Sequence, residues 1–360
     1  MEKKEKRIYF EVMRIVACFF VIFNHTSVNG YFLFSTREPG SAHFWIELFV
    51  SVFCKFAVPL FLAISGAILL AKEDEPLSVI YKKRFPRILL VLLLSSLLYY
   101  YWTCVVIKGA AFSWRLFWLN VYGNMFSTHL WYLYAYLAFL MSLPMLRAMV
   151  NHMETKHFYY MFGLAVFFQG LLPSIEYLLN GLEISLNDYT KLGWLTVQII
   201  CFPCLGYFLE YRVKLEKPKK ALLGIWGLNI LLIGLTCYLT YRKIVLTGDC
   251  NEFVSQQFHE YFVLVNCVAV FLTVKYLFKN RTLPKMVEKV ILSVAGCCFG
   301  IYIIHIIIRD LDEKVGIYNS LIRHGVEGLL AAFLFSAVIF VISYVVIFAV
   351  RLIPGMKKLI

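Results

Sequence analysis

The length of the uncharged runs constrains this chain more than any other feature. Residues 326–350 hold one charged side chain, Glu327, and several other stretches run near or beyond 18 residues with few charges or none. That length carries a helix across the roughly 30 Å hydrocarbon core of a bilayer. Hydrophobic residues make up 61% of the chain and charged residues 16%, whereas a soluble domain carries about a quarter charged. The pattern predicts an all-α, polytopic membrane protein. Its net charge of +13 then reads as loops facing anionic lipid, with the membrane and not nucleic acid as the partner.

Ten transmembrane helices are expected, over 8–30, 44–70, 87–107, 128–150, 157–173, 191–210, 221–241, 258–278, 291–309 and 326–350. Polar breaks such as STREPGSAH, KEDEPLSVIYKKRFPR and YRVKLEKPKK separate them. No linker is long enough to join a second soluble domain and no internal repeat is evident, so residues 1–360 read as one membrane domain. With the N-terminus, alternate loops and the C-terminus on one side, that side holds 24 Lys and Arg against nine on the other. This positive-inside bias predicts both termini in the cytoplasm. The first apolar run is too long for a signal-peptide core and lacks a small-residue cleavage site, so it is expected to stay as the first helix. Nine of the ten cysteines lie in apolar runs, and the CxxC of Cys201 and Cys204 has no second pair. They are expected to be packing thiols, with no metal centre.

In the first helix, Arg14 and His25 lie roughly 16 Å apart along the axis, both inside the bilayer core. A central charge costs at least about 2.5–3.5 kcal/mol on insertion scales, so two in one helix require a polar environment. At 100° per residue, Glu11, Arg14, Cys18, Ile22, His25 and Asn29 fall in a stripe about 80° wide. This stripe is expected to face a protein cavity, with Glu11 and Arg14 paired as i,i+3 neighbours. A buried packing histidine and a snorkelling arginine would explain either residue alone, but not their alignment.

The second apolar segment, FCKFAVPLFLAISGAILL, repeats the oddity. Lys55 sits near the midplane, too deep to snorkel, and is expected to face the same cavity, either in chemistry or in a structural ion pair. Pro59 should kink the helix. Ser65 and Gly66 are small enough to admit another helix or a ligand, and are assigned to the donor side. Glu47 lies at a depth similar to His25. At the mouth of the third helix, YKKRFPRILL gathers Lys82, Lys83, Arg84 and Arg87. Alone this reads as a surface anchor; beside Arg14 it suits a ligand with phosphates at one end and a reactive centre at the other. Arginine binds phosphate in a bidentate way, and histidine exchanges protons near pH 7.

These residues carry a family resemblance. FEVMRIVACFFVIFNH, KFAVPLFLAISGAILL, KRFPRILL, HLWYLYAYLAFLMSLP and FGIYIIHIII, in that order, resemble the landmarks of the acyltransferase-3 family of integral membrane acyltransferases, which includes bacterial cell-surface polysaccharide O-acetyltransferases. The stretch from about 150 to 290 matches only in being hydrophobic. The resemblance implies transfer of an acyl group, usually acetyl, from cytoplasmic acyl-CoA to a sugar hydroxyl at the outer face of the bacterial cytoplasmic membrane. It makes His25 the essential histidine and links Arg14, Arg84 and Arg87 to the CoA donor; Glu11, the neighbour of Arg14, is expected on the donor side with them. Trp131 and His305 are expected on the acceptor side. Acyl-CoA is a co-substrate, and no bound cofactor is expected. With no extra extracytoplasmic domain in the chain, a glycan or lipid-linked glycan acceptor is expected to reach the membrane cavity itself. The acceptor, the acyl chain length and the oligomeric state stay open.

Two other classes compete. A transporter or flippase of a glycan precursor would also hold mid-membrane charges, but the Pro59 break has no evident counterpart five helices on. A sensor or scaffold would not need a depth-spanning polar stripe. His305 to Asp310 also spells HxxxxD, the pattern of an unrelated acyltransferase class. Residues five apart on a continuous helix point about 140° apart, and Asp310 is expected in the outer loop, so the two should not meet. For His25 acting as base, a carboxylate could orient the imidazole, and Glu47 is the candidate by depth; a covalent acyl-imidazole is the rival route.

Overall fold

The computed structural model describes residues 7–72, 75–172, 174, 175, 178, 198–248, 250 and 262–360. Residues 173, 191–197 and 258–261 of three expected helices lie outside these described residues. Among the described residues the chain is helical, without strands. Among the described residues six helical stretches are long and apolar enough to cross a membrane: Ala42–Leu69, Leu77–Ile107, Thr128–His152, Pro218–Thr247, Lys285–Val315 and Gly328–Val350.

The first helix, α1 (Ile8–Asn24), is shorter than expected and stops one residue before His25. Asn29 follows on a separate 3-10 turn, Ser27–Asn29, and so leaves the predicted stripe. The next span is two helices, α2 (Ala42–Cys54) and α3 (Ala57–Leu69). Pro59 has no amide hydrogen, so the carbonyl of Lys55 lacks its helical partner, and the interruption falls at Lys55 and Phe56, not at Pro59. Two asparagine amides cap the neighbouring carbonyls. Asn24 Nδ2 donates to Cys54 O at 3.2 Å, and Asn266 Nδ2 donates to Phe53 O at 2.6 Å. Buried carbonyls need such partners.

The chain continues through α4 (Leu77–Ile107), α5 (Trp114–Gly123), α6 (Thr128–His152) and α7 (Thr155–Val166). The unpredicted α5 starts at Ser113, whose side chain accepts from Leu116 N. It leaves Trp114, Trp118 and Tyr122 exposed, the residue types that favour a membrane–water boundary. After α8 (Gln198–Tyr211), α9 (Pro218–Thr247) and α10 (Phe262–Phe278) come α11 (Lys285–Val315), α12 (Ile317–Arg323) and α13 (Gly328–Val350).

Two features position the site. The first is the crossing of α3 and α8, where backbone meets backbone. A Cβ added to Gly66 would lie 2.0 Å from Pro203 O, and one on Gly206 would lie 1.8 Å from Ala63 O. Small residues permit such close helix contact. Gly66 therefore serves a helix crossing, and its assignment to the donor is corrected. Cys201 and Cys204, on the same helix, are free and buried. The second feature is the placement of α1, which packs against α2, α3, α10, α11 and α13 and has no exposed residue.

Candidate active site

A cavity of about 450 Å³ runs beside α1. At one end it is lined by Glu11, Arg14 and Arg87, and Ser65, Tyr132 and Tyr136 form part of its wall. Arg14 Nη1 and Glu11 pair at 2.5 Å, the i,i+3 contact that their spacing predicts. Val21 and Tyr302 also line the cavity. Cys18 and Ile22, in the middle of the expected stripe, pack with Ile301, Phe335 and Ile339 instead. A helix enclosed on every side does not divide its faces between lipid and cavity, so polar periodicity alone picked the wrong residues there.

Arg84 has a different place. Its guanidinium bonds Glu75 through Nη2 at 2.5 Å and Nε at 3.2 Å. On the other side of Glu75 is Arg147, buried on α6, whose Nη2 reaches Glu75 Oε2 at 2.8 Å and whose Nε donates to Leu69 O at 2.9 Å. The cluster ties the turn after α3 to α4 and α6, so Arg84 is held by protein rather than lining the cavity. Burial pushes the Glu75 carboxyl up, but Arg84 and Arg147 outweigh it and hold it at about 2, below the ordinary 4.5. A carboxyl held low in the folded state contributes stability that is complete above its unfolded value and is lost as pH falls toward the folded one. Wild-type protein should therefore lose thermal stability between about pH 4.5 and 2 more steeply than Glu75→Gln. Parallel melting curves across that range would remove Glu75 as the cause.

At the other end of α1 three imidazoles gather. The His25 and His305 rings lie 5.0 Å apart, His129 and His305 5.1 Å, and His25 and His129 6.1 Å. His305 Nδ1 is 2.6 Å from Tyr302 O, so it carries the hydrogen and leaves His305 Nε2 as an acceptor. That Nε2 lies 3.2 Å from His25 Nδ1, which is also 2.8 Å from Val21 O. Nδ1 of His25 faces two acceptors and must hold its hydrogen, which puts the lone pair of the neutral ring on Nε2. His129 takes the opposite tautomer: Nε2 donates to Ile303 O at 3.3 Å while Nδ1 lies 2.8 Å from Ser127 Oγ. The Tyr302 hydroxyl donates to His129 O, and Tyr99 donates to Ile303 O at 2.7 Å. Arg309 Nη1 donates to His25 O at 2.7 Å, a cation at the C-terminal end of α1.

The remaining expectations fare unequally. Glu47 is buried, and Arg37 holds it through Nε at 3.0 and 3.1 Å and Nη2 at 2.8 Å. The partners of the His25 Nδ1 are Val21 and His305, so Glu47 does not orient the imidazole. Lys55 lies at the α2–α3 interruption with Nζ 4.8 Å from the centre of the Tyr31 ring. Trp131 is partly exposed at the start of α6, and its neighbour Tyr132 reaches the cavity. Asp310 lies within α11, not in a loop, and bonds Arg309 and Trp102 Nε1. The HxxxxD pair does not meet, as helix geometry predicts.

Sequence reasoning passed over His129, Arg309 and Arg147. His129 stands in the segment HLWYLYAYL, and Arg309 is the last residue of the expected helix 291–309. Nothing local marks either as a neighbour of His25.

Residues 7–350 match the family Acyl_transf_3, described as an acyltransferase domain. No curated protein and no solved structure shows significant similarity to the chain.

Proposed function

Because the chain belongs to the acyltransferase-3 family, we propose that it moves an acyl group, acetyl in the simplest case, from acyl-CoA to a hydroxyl of a glycan or lipid-linked glycan precursor. The donor enters at the Arg14 and Arg87 end of the cavity, and the acceptor hydroxyl meets it beside His25. In this reading the chain crosses the bacterial cytoplasmic membrane ten times, as one domain, with both termini in the cytoplasm.

One observation carries the reading. The cavity that begins at Arg14 and Arg87 is also lined by Val21 and Tyr302, the residues whose carbonyls hold the imidazoles of His25 and His305. The cations that would meet the donor thus line one space with the residues that hold the candidate base.

The chemistry follows from the tautomer. A thioester is already activated, so the reaction needs a base for the hydroxyl and positive charge for the oxyanion. His25 Nε2 takes the hydroxyl proton as the oxygen attacks the acyl carbon. The carbon–sulfur bond then breaks, and the imidazolium returns the proton to the CoA thiolate. Lys55, on the chain segment beside His25, offers charge to the oxyanion. His305 Nε2 accepts from His25 Nδ1 and steadies the ring when it becomes cationic.

The test is incubation of purified protein with labelled acetyl-CoA and extracted cell-envelope glycans. Label should appear on glycan, in acceptor-dependent fashion, without accumulating on the protein. Label trapped on His25 in the absence of acceptor would replace direct transfer with the two-step route. Failure to label any glycan hydroxyl would move the acceptor to another class.

A further inference from the structure

In the sequence Arg351 directly follows the last expected helix, 326–350. The structure turns it inward. As the C-terminal cap of α13 it could have pointed to a lipid headgroup, the ordinary role of an arginine at a helix end. Its guanidinium instead lies against Gly296 of α11. A Cβ on that glycine would be 2.6 Å from Arg351 Nη1, 3.3 Å from Nη2 and 3.4 Å from Cζ. Gly296 lines the cavity together with Arg14 and Arg87. Nη1 also approaches Cys297 Sγ at 3.4 Å, a weak acceptor that leaves the charge uncompensated.

Gly296, on which Arg351 rests, lines the same cavity as Arg87. Arg87 spends only its Nε on a protein partner, Leu359 O at 3.1 Å. Among the described residues no carboxylate pairs with either guanidinium, whereas Arg14 has Glu11 and Arg84 has Glu75. A guanidinium without a carboxylate, resting on the wall of a cavity that Arg87 also lines, is unfavourable unless an anion joins the two charges.

We propose that Arg351 and Arg87 form a two-guanidinium clamp for the phosphate groups of the acyl donor, seated on Gly296. This rests on the donor reading above and adds a residue from the last helix to the binding end. Acyl-CoA carries a diphosphate and a ribose phosphate, and paired guanidinium groups match such oxygens in bidentate fashion. Gly296 is part of the device because only a residue without Cβ lets the guanidinium reach the cavity wall.

The test is titration calorimetry and steady-state kinetics on the full chain in detergent. Arg351→Gln should weaken acetyl-CoA binding about tenfold, the scale of one charge-assisted contact, with kcat unchanged. Gly296→Ala should act in the same direction, because its Cβ displaces only the flexible end of Arg351 and leaves the backbone in place. This second variant carries the test if Arg351→Gln does not fold. Unchanged acetyl-CoA affinity in both variants would reduce Arg351 to a helix-end anchor and overturn the clamp. Inorganic pyrophosphate is the second probe. If wild-type protein binds pyrophosphate in an Arg351-dependent way but not acetyl-CoA, the clamp stands and the donor reading fails. Binding of neither probe would overturn the clamp itself.

Discussion

Replacing His25 by alanine is expected to abolish acyl transfer while leaving acetyl-CoA bound. The general base alone contributes about 10²–10⁴-fold. Binding should survive because Arg14 and Arg87, the charges proposed to meet the donor, line the cavity at the opposite end of α1 from His25. Arg309 donates to the His25 backbone carbonyl and not to its ring, so the end of α1 keeps its cap in the variant. A transfer rate near wild type, measured with labelled acetyl-CoA and envelope glycans, would end the role assigned to His25.

The second large effect concerns folding. Gly206→Ala should lower thermal stability by about 1–3 kcal/mol or more, the range for overpacking a tight interior. The added Cβ would sit 1.8 Å from a backbone oxygen of Ala63, and a backbone atom cannot swing aside as a side chain can. Gly66→Ala meets the same obstacle from the opposite helix, 2.0 Å from Pro203 O. Because α3 also carries Ser65 and Val58 on the cavity wall, a forced separation of α3 and α8 should raise the KM for acetyl-CoA as well. Melting temperatures equal to wild type in both variants would mean that the crossing is looser than described.

Much of the framework was legible because hydrophobic run length is a one-dimensional property. The spans at 44–70, 87–107 and 326–350 announce themselves, and so does the Glu11–Arg14 pair, which needs only helical spacing. The site was legible in part. Depth along the membrane could be counted from residue numbers, and it placed Glu47 level with His25; azimuth could not, and Glu47 turned out to face Arg37. The stripe on α1 failed at Cys18 and Ile22 for a related reason, since periodicity separates faces only when one of them meets a different solvent. Gly66 was ambiguous in sequence because a small residue admits a helix and a ligand equally well. The convergence of His129 and His305 on His25 depends on how α6 and α11 pack, which no local pattern records. Arg351 was hidden for another reason: an arginine after an apolar helix is so ordinary that its inward turn leaves no trace in the sequence.

The enclosure of α1 has a consequence for biogenesis. Translation delivers this helix early, yet three of the five helices that wall it in, α10, α11 and α13, emerge near the end. Until then α1 must wait among lipids or provisional neighbours with its ionisable groups aboard, and chains generally build from the N-terminus forward. The Glu11–Arg14 contact suits that interval, since it neutralises the arginine within a single helical turn and asks nothing of later segments. His25, by contrast, acquires its imidazole partner only when α11 arrives. A ribosome-bound intermediate that ends before α11 would therefore hold Arg14 already paired and the candidate base still without its imidazole partner, so the positioning of His25 waits on the synthesis of α11.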